Sequence, residues 1–495
     1  MRLHLILCAT ALGLLSTGCK IQTPATGSDI LTDYGRSQVA GNWGAPHGKG
    51  RVTPGWIRSF GDSELTRIVE EALVRNPDLR AAAARVDASR AAVRIAAAAL
   101  YPQIGLKGLG ERQGQELSGD LGQGIDPATL GPMGVNLSGG SADTRTIDSS
   151  SGRWVYGLGI GAAWELDVWG RVRSKKAAAK SDSAALEATY EFARQSLAAQ
   201  VARAYFSAIE AGQQADNARE TLKLYEDYLK LTDVRKNQGF SSDFELAQVK
   251  SRTAAARDTL HAAESARAQA IRAIEVVTSH YPGGKAKVRR TFPGRLGTVP
   301  SGLPMELLER RPDLIATERR FAAAVHRTNE AKVARLPRFA ISAMGGVGSA
   351  NLDDVGVLDS VNWSLAAGVV QPIFLGGELK AAQDLRTAEQ RAAAHDYTSA
   401  ALHAFEDVED ALANEYYLRQ REEALSEMVS ASGDAVTLGR KQLDQGQADM
   451  FTILRLVGEN LAAKIELTKI RGARLRERAD LYLALGGGFK HDVSK

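Results

Sequence analysis

Residues 154–169 read Trp-Val-Tyr-Gly-Leu-Gly-Ile-Gly-Ala-Ala-Trp-Glu-Leu-Asp-Val-Trp and alternate between two kinds of side chain. Large apolar side chains occupy most even positions, and glycine, alanine or acidic residues occupy most odd ones. This alternation predicts a β-strand with one apolar face, because successive side chains point to opposite sides of a sheet. The glycines lie inside the strand, which argues against a dinucleotide-binding loop.

Three further strands are predicted at residues 103–112, 339–347 and 361–374, so that each half of the chain holds one β-hairpin. Trp154 and Trp164 lie roughly 33 Å apart along a strand, or roughly 25 Å along the membrane normal at a tilt of about 40°. That distance matches the apolar band of an outer-membrane barrel between its aromatic girdles. A soluble sheet with a buried aromatic face is the alternative. The predicted girdle residues are Trp154, Tyr156, Trp164 and Trp363.

The two halves of the chain repeat each other at two constant offsets. Arg75-Asn-Pro-Asp-Leu79 is echoed 235 residues later by Arg310-Arg-Pro-Asp-Leu314. Asn237-Gln-Gly239 is echoed 207 residues later by Asp444-Gln-Gly446. The difference between the offsets leaves 28 extra residues in the first half. They fall within the Gly- and Ser-rich stretch 114–151, which predicts a long surface loop.

Long helices are predicted after each hairpin. Residues 170–237 contain no proline and one interior glycine, Gly212, so one helix of about 100 Å is expected there. Turns follow at Gly239 and Gly446, and each turn supplies residues suited to capping the next helix. Two long helical hairpins therefore extend from the two β-hairpins. The turn residues are Gly239, Ser242 and Asp243 in the first half and Gly446 and Asp449 in the second.

The first residues are typical of a secretory signal peptide, with a positive charge at Arg2 and an apolar stretch over residues 3–15. Ser16-Thr-Gly-Cys19 resembles the lipobox of bacterial lipoproteins, although the pattern has leucine where Ser16 stands. No cysteine follows Cys19, so neither a disulfide nor a cysteine-based metal site is expected. We expect a covalent lipid on Cys19; a cleaved signal with an incidental cysteine is the alternative.

Several function classes receive no support from the sequence. The net charge is only +4 and the basic residues are interspersed with acidic ones, so nucleic-acid binding is not expected. The eight histidines are scattered, and no hydrolase or phosphate-loop motif occurs. We therefore expect no enzymatic activity, no metal and no cofactor apart from the lipid on Cys19.

The predicted strands imply oligomerisation. Four strands cannot close a barrel, and an open sheet edge in lipid leaves backbone groups without partners. Three copies would supply twelve strands and twelve helical segments, enough for a membrane pore continued by a helical tube. The predicted fold class is an α+β membrane protein with an internal duplication.

Five motifs spread over the chain carry a family resemblance. They are Asn76-Pro-Asp-Leu79 with Tyr101-Pro-Gln103, Trp164-Glu-Leu-Asp-Val-Trp-Gly-Arg171, Leu308-Glu-Arg-Arg-Pro-Asp-Leu314, Gln371-Pro-Ile-Phe-Leu-Gly-Gly377 and Leu483-Ala-Leu-Gly-Gly-Gly-Phe489. On these residues the sequence resembles TolC-type outer-membrane factors, in particular the lipoprotein branch of tripartite multidrug-efflux systems.

The resemblance implies a homotrimer with a 12-stranded outer-membrane β-barrel, four strands per chain, continued by a long periplasmic α-helical barrel. It implies a periplasmic adaptor protein at the helix tips and an inner-membrane pump of the RND type. The implied function is a passive exit duct for drugs or other small toxic compounds, lipid-anchored in the outer membrane. The alternatives are a periplasmic coiled-coil adaptor or scaffold without a pore, and the exit duct of a type I protein-secretion system.

The resemblance also implies a gate at the second tip. Relatives place an apolar ring and an acidic ring five and nine residues beyond the tip glycine, where this chain has Phe451 and Arg455. Phe451 suits an apolar constriction, whereas Arg455 reverses the expected charge. The alternative is that Arg455 pairs with a neighbour such as Asp449 or Glu459.

These predictions divide the chain into nine segments. They are a signal peptide at 1–18, a lipid-anchored N-terminal segment at 19–60, a helix at 61–100, β-hairpin 1 with its extracellular loop at 101–169, a helical hairpin at 170–290, a linker and helix at 291–336, β-hairpin 2 at 337–376, a second helical hairpin at 377–485 and a tail at 486–495.

Overall fold

The computed structural model describes residues 22–35, 39–48, 50, 52, 55–113, 153–294, 297–349 and 361–487. The chain divides into two compact units. The first unit contains residues 91–180 and 323–390 together with the chain up to Thr23, and the second contains residues 24–90, 181–322 and 391–495. The signal peptide, Cys19, the loop at 114–151 and most of the tail lie outside the described residues, so those predictions stay predictions.

The regular elements follow one another in the order helix, hairpin, helix pair, in both halves of the chain. In the first half they are α1 Ser63–Arg75, α2 Pro77–Ala98, β1 Gln103–Gln113, β2 Arg153–Leu166, α3 Arg171–Asn237 and α4 Asp243–Val277. In the second half they are α5 Pro312–Val333, β3 Arg338–Ser349, β4 Val361–Val370, α6 Glu378–Asp444 and α7 Met450–Ala484. Short helical turns lie at Gly27–Ile30, Leu31–Gly35, Trp56–Phe60, Pro304–Glu306 and Leu307–Arg310.

The predicted duplication is confirmed by the helix lengths and the strand register. The helices α3 and α6 each contain 67 residues, α4 and α7 each contain 35, and α2 and α5 each contain 22. Each member of a pair begins 207 or 235 residues after its counterpart, as the sequence offsets require. In the sheet, Gly110 pairs with Tyr156, and their counterparts Gly345 and Trp363 pair with each other.

The four strands form one antiparallel sheet in the order β1-β2-β3-β4, within the first unit. The predicted strands are present with shifted ends. The strand β2 ends at Leu166 instead of Trp169, because the side chain of Asp167 accepts hydrogen bonds from the backbone N–H groups of Val172 and Arg173 and starts α3. The strand β4 ends at Val370, two residues before Pro372, which has no N–H for a sheet.

One helix was predicted over residues 61–100, but the structure has two helices there, α1 and α2. The prediction of a single helix was therefore wrong. Asn76 separates them, and its side-chain oxygen accepts hydrogen bonds from the N–H groups of Asp78 and Leu79 at 3.0 and 3.1 Å. Pro77 then occupies the first position of α2, where a missing N–H costs nothing. An N-cap asparagine followed by proline therefore ends one helix and begins the next.

The core of the second unit contains a cluster of aromatic side chains. Trp56 stacks on Tyr482 with 5.2 Å between ring centroids, and Phe60 packs against Phe206 at 5.0 Å. All four are buried, and Ser59 donates a hydrogen bond to the hydroxyl of Tyr482. This cluster ties the segment before α1 to α3 and α7.

No helix among the described residues has the length and apolar character needed to cross a bilayer.

Candidate membrane-facing sheet and helical tips

One face of the sheet carries most of its large apolar side chains. Cross-strand partners lie on the same face, so the pairs Leu106–Ile160 and Leu158–Val347 place their side chains together. The face extends over all four strands. Its large members are Ile104, Leu106, Trp154, Tyr156, Leu158, Ile160, Trp164, Leu166, Phe339, Ile341, Val347, Val361, Trp363, Leu365 and Val369.

This apolar face is exposed in the single chain. Trp363 is 79% exposed and Leu365 is 70% exposed, and Leu106 and Ile160 also lie among the exposed large apolar residues. A contiguous apolar surface on a sheet indicates contact with lipid or with another protein. Three predicted girdle residues, Trp154, Trp164 and Trp363, are exposed, and Tyr156 is half-buried because it stacks on Trp154 at 5.8 Å. Leu365 lies on this face without having been predicted as a membrane-facing residue, although its alternation with Trp363 is the same apolar pattern.

The opposite face has mostly small and polar residues, and Leu109, Met344 and Val370 are its large apolar side chains in the described part of the sheet. Gly159 and Gly346 are directly opposite each other, and a Cβ atom on Gly346 would lie 2.7 Å from the backbone oxygen of Leu158. Backbones therefore approach more closely here than a side chain would allow. On β4 this face carries Asn362 and Ser364. A face of this kind suits the inside of a pore better than contact with lipid.

The sheet has two open edges. Among the described residues, β1 pairs only with β2 and β4 pairs only with β3. Each outer edge presents a row of backbone N–H and C=O groups. An open edge is not tolerated in lipid, so these edges require partners if the face meets a membrane.

Ion pairs hold the junction between β2 and α3. The guanidinium of Arg171 donates hydrogen bonds to both carboxylate oxygens of Glu165, at 3.0 and 2.8 Å, and lies 3.8 Å from Glu330. Gly170 has a φ of +79°, which lets the chain turn from strand to helix at this point. The motif at residues 164–171 thus forms the turn from β2 to α3 and supplies the contacts that hold it. Residue spacing alone did not predict this role.

The two helical tips are built alike. Gly239 and Gly446 have φ of +81° and +71° and end α3 and α6. Ser242 accepts a hydrogen bond from the N–H of Glu245 at the start of α4, and Asp449 accepts one from Thr452 at the start of α7.

Each tip also carries a carboxylate at the start of its second helix. The hydrogen bond from the backbone of Thr452 lowers the pKa of Asp449 below its ordinary value. Asp243 pairs with Lys236, and this contact lowers the pKa of Asp243 in the same way. Both carboxylates therefore remain ionised at the positive ends of their helices.

The predicted gate residues lie on the first turns of α7. Phe451 is 54% exposed, and its counterpart in the first half, Phe244, is 73% exposed. The guanidinium of Arg455 lies 2.8 Å from the carboxylate of Glu459, one helical turn away. The pairing alternative for Arg455 is therefore present within the single chain, and a role for Phe451 and Arg455 in gating stays a prediction.

A buried cluster joins the two tips within one chain. Tyr228 and Val249 from the first hairpin pack with Met450 and Ile453 from the second, and all four are nearly inaccessible to solvent. The guanidinium of Arg440 lies over the ring of Tyr228 at 5.2 Å. The two hairpins of a protomer therefore behave as one packed body at this end.

No group of histidine, cysteine and acidic side chains in the described ranges is arranged to hold a metal ion.

A match to a known protein family assigns a function to these surfaces. The model of the outer membrane efflux protein family matches residues 68–279 and 303–487 of this chain. The chain belongs to this family. Its apolar sheet face and its paired long helices are accordingly parts of an outer-membrane efflux channel.

Full-length relatives support the assignment. The pyoverdine export outer membrane protein OpmQ of Pseudomonas putida is 29% identical, covering 99% of this chain and 98% of the relative. The solvent efflux pump outer membrane protein SrpC of the same species is 28% identical, over 96% of this chain and 97% of the relative. The crystal structure of the MtrE outer membrane channel of Neisseria gonorrhoeae is similar, with a TM-score of 0.79, 26% identity, and coverage of 96% of this chain and 98% of the channel.

Proposed function

We propose that three copies of this chain form the exit duct of a tripartite efflux system, which conducts small toxic compounds from an inner-membrane pump to the outside of the cell. The observation that carries the proposal is the sheet of β1 to β4, with one apolar exposed face and two open edges. Three such sheets joined edge to edge give twelve strands, which is enough for a closed membrane barrel with a lumen.

The helical tips are the proposed contact for a periplasmic adaptor protein. The two tips have similar turns, which an adaptor could recognise with the same surface. The first turn contains Gly239, Ser242 and Asp243, and the second contains Gly446 and Asp449. Phe240 and Phe244 are exposed beside the first turn and offer an apolar contact. An inner-membrane pump of the RND type would complete the assembly.

The proposed cargo is inferred from the compounds that the relatives are named as exporting. One relative is named for the export of pyoverdine and another for the efflux of solvents. We propose small organic compounds such as solvents and antibiotics as the cargo of this chain. The exposed apolar face has no role in selecting cargo, because it lies on the lipid side of the sheet.

We further propose that a lipid on Cys19 anchors the chain in the outer membrane. Gln22 follows Cys19 by three residues and is fixed to α5 by two hydrogen bonds with Asn329. The N–H of Gln22 donates to Oδ1 of Asn329 at 3.2 Å, and Nδ2 of Asn329 donates to the carbonyl oxygen of Gln22 at 2.7 Å. Asn329 is buried, and β3 begins nine residues later, so Gln22 is held near the start of β3.

A lipid-labelling experiment tests the anchor. Cells that express the protein are grown with an alkyne analogue of palmitate, and the purified protein is examined for incorporated label. We expect Cys19→Ala to abolish labelling, while Cys8→Ala, which changes the only other cysteine, should leave it intact. Equal labelling of both variants, or none in the wild type, would refute the anchor.

A transport experiment tests the proposed function itself. Deletion of the gene should make its host hypersensitive to organic solvents and antibiotics, and the wild-type gene should restore resistance. The purified protein should form heat-resistant trimers and conduct ions across a planar lipid bilayer. A water-soluble monomer without conductance would favour the adaptor alternative. Resistance that is unchanged on deletion, together with loss of an exported polypeptide, would favour a protein-secretion duct.

A further inference from the structure

The second unit contains an open cavity of about 770 Å³ that the channel function does not use. It lies between the linker residues 291–294 and the middle of the helices α6 and α7, with Gln213 of α3 at its border. The charged residues of its lining are Arg419, Arg471, Arg474, Arg478, Glu422 and Glu423.

Two of the four arginines share one of the two glutamates. Arg471 and Arg474 both contact Glu422, at 3.1 and 2.8 Å. Arg474 also contacts Glu415 beside the cavity, at 3.2 Å. Positive charge therefore remains in excess around the cavity.

Arg478 and Arg419 hold this excess charge. Arg478 is 3% exposed, and its nearest carboxylate oxygen, on Glu415, is 3.9 Å away. Arg419 stacks over the ring of Tyr416 at 5.7 Å and has no carboxylate partner among the described residues. The Nε atoms of both side chains are buried and have no hydrogen-bond acceptor in the part of the chain that the structure describes. A buried donor without an acceptor is costly, and such a group needs an explanation.

The wall opposite the arginines is fixed in place. The side chain of Gln213 donates a hydrogen bond to the carbonyl oxygen of Arg290, immediately before the linker residues. Earlier in the same linker, the N–H groups of Gly284, Lys285 and Ala286 donate hydrogen bonds to the carboxylate of Glu275 in the last turn of α4. The cavity is therefore bounded by ordered backbone on the linker side as well as by helices.

We propose that this cavity binds a small anion through a phosphate or carboxylate group, with Arg478 and Arg419 as its main ligands. Guanidinium groups match the geometry of both kinds of oxyanion, and charge-assisted hydrogen bonds of this type are strong. Thr291 and Ser426 add hydroxyl donors at the border, and Phe292 offers an apolar surface for the rest of the molecule. The volume accommodates a ligand larger than a single phosphate ion.

Isothermal titration calorimetry on the full-length protein in detergent tests this proposal. Inorganic phosphate and, separately, succinate are titrated in 150 mM KCl, which suppresses weak attraction to surface charge. We expect saturable binding of one of the two anions, and the preferred anion distinguishes a phosphate site from a carboxylate site. Arg478→Met should weaken that binding about tenfold or more, because a charge-assisted hydrogen bond in a buried site is lost.

The matched control is Arg257→Met. Arg257 is exposed on α4, lies 3.7 Å from Glu226 and does not line the cavity, so its replacement should leave binding unchanged. If Arg478→Met does not fold, Arg419→Met is used in its place to test anion binding. Its replacement should disturb folding less, because Arg419 is less buried and has no ion pair among the described residues. The proposal fails if the wild type binds neither anion, or if the arginine variants bind as tightly as the control. It does not depend on the transport function.

Discussion

Leu365→Arg should prevent the chain from assembling in the outer membrane, whereas Ser364→Arg should leave assembly intact. The two residues are neighbours near the middle of β4, and both are exposed in the single chain. Leu365 lies on the apolar face with Trp363, and Ser364 lies on the opposite face with Asn362. An arginine on the lipid side of a barrel costs about 2–4 kcal/mol near the middle of the membrane, and a trimer carries three copies. An arginine on the other side meets water.

The measurement is the amount of heat-resistant trimer in outer-membrane fractions, with the periplasmic fraction examined for unassembled chain. Leu365→Arg should lose most of the trimer and Ser364→Arg should retain it. Because the two variants differ by one position in the sequence and not in charge or size, a difference in expression alone cannot explain such a result. Normal assembly of Leu365→Arg would mean that the apolar face does not meet lipid. Failure of both variants would mean that the face of Ser364 is not open to water, which would contradict the assignment of the two faces.

The features that sequence patterns predicted well are those set by local periodicity. The alternation over 154–169 determined β2, and the constant offsets of 207 and 235 determined the duplicated elements. The register agrees with these offsets because a slip of one residue would move every apolar side chain of a strand to the other face. Insertion of the long loop in the first half leaves the register of β1 and β2 unaffected, since it lies between the two strands.

Features set by contacts between distant segments could not be predicted in this way. Nothing in the local sequence shows that Glu330 lies beside Arg171, or that Gln22 meets Asn329. The anion cavity likewise combines a linker with two helices from another part of the chain. The two chemical roles expected at the helical tips, adaptor contact and gating by Phe451 and Arg455, depend on neighbouring chains and stay predictions.

The two copies of one repeated motif differ at a single position with a large structural effect. Asn76 caps α2 in the first half, and its counterpart in the second half is Arg311. Arg311 is 6% exposed and donates hydrogen bonds to the carboxylates of Asp313 and Asp407. The guanidinium also donates to the carbonyl oxygens of Ala404 and Ala484. One side chain thus links the start of α5 to the middle of α6 and the end of α7.

Arg311→Met should destabilise this junction by about 3 kcal/mol. Methionine fills a similar volume but removes the donor from the carbonyl oxygens of Ala404 and Ala484 and from the carboxylates of Asp313 and Asp407. Loss of a buried hydrogen-bond partner costs about 1–3 kcal/mol. Hydrogen–deuterium exchange is the suitable measurement, because unfolding of a large oligomer is not two-state. The backbone N–H groups of Leu485 and Gly486 at the end of α7 should exchange about 100-fold faster than in the wild type.

Arg67→Met provides the comparison for this variant. Arg67 also contacts two carboxylates, those of Glu64 and Glu71, but its side chain is 57% exposed. Exposed ion pairs contribute about 0–1 kcal/mol, so exchange at the end of α7 should remain unchanged in this variant. Burial and the two backbone carbonyls, and not the number of ion pairs, would then account for the effect of Arg311. Equal exchange in the two variants would show that Arg311 contributes no more to stability than an exposed arginine and that packing of α5 against α6 and α7 does not require it.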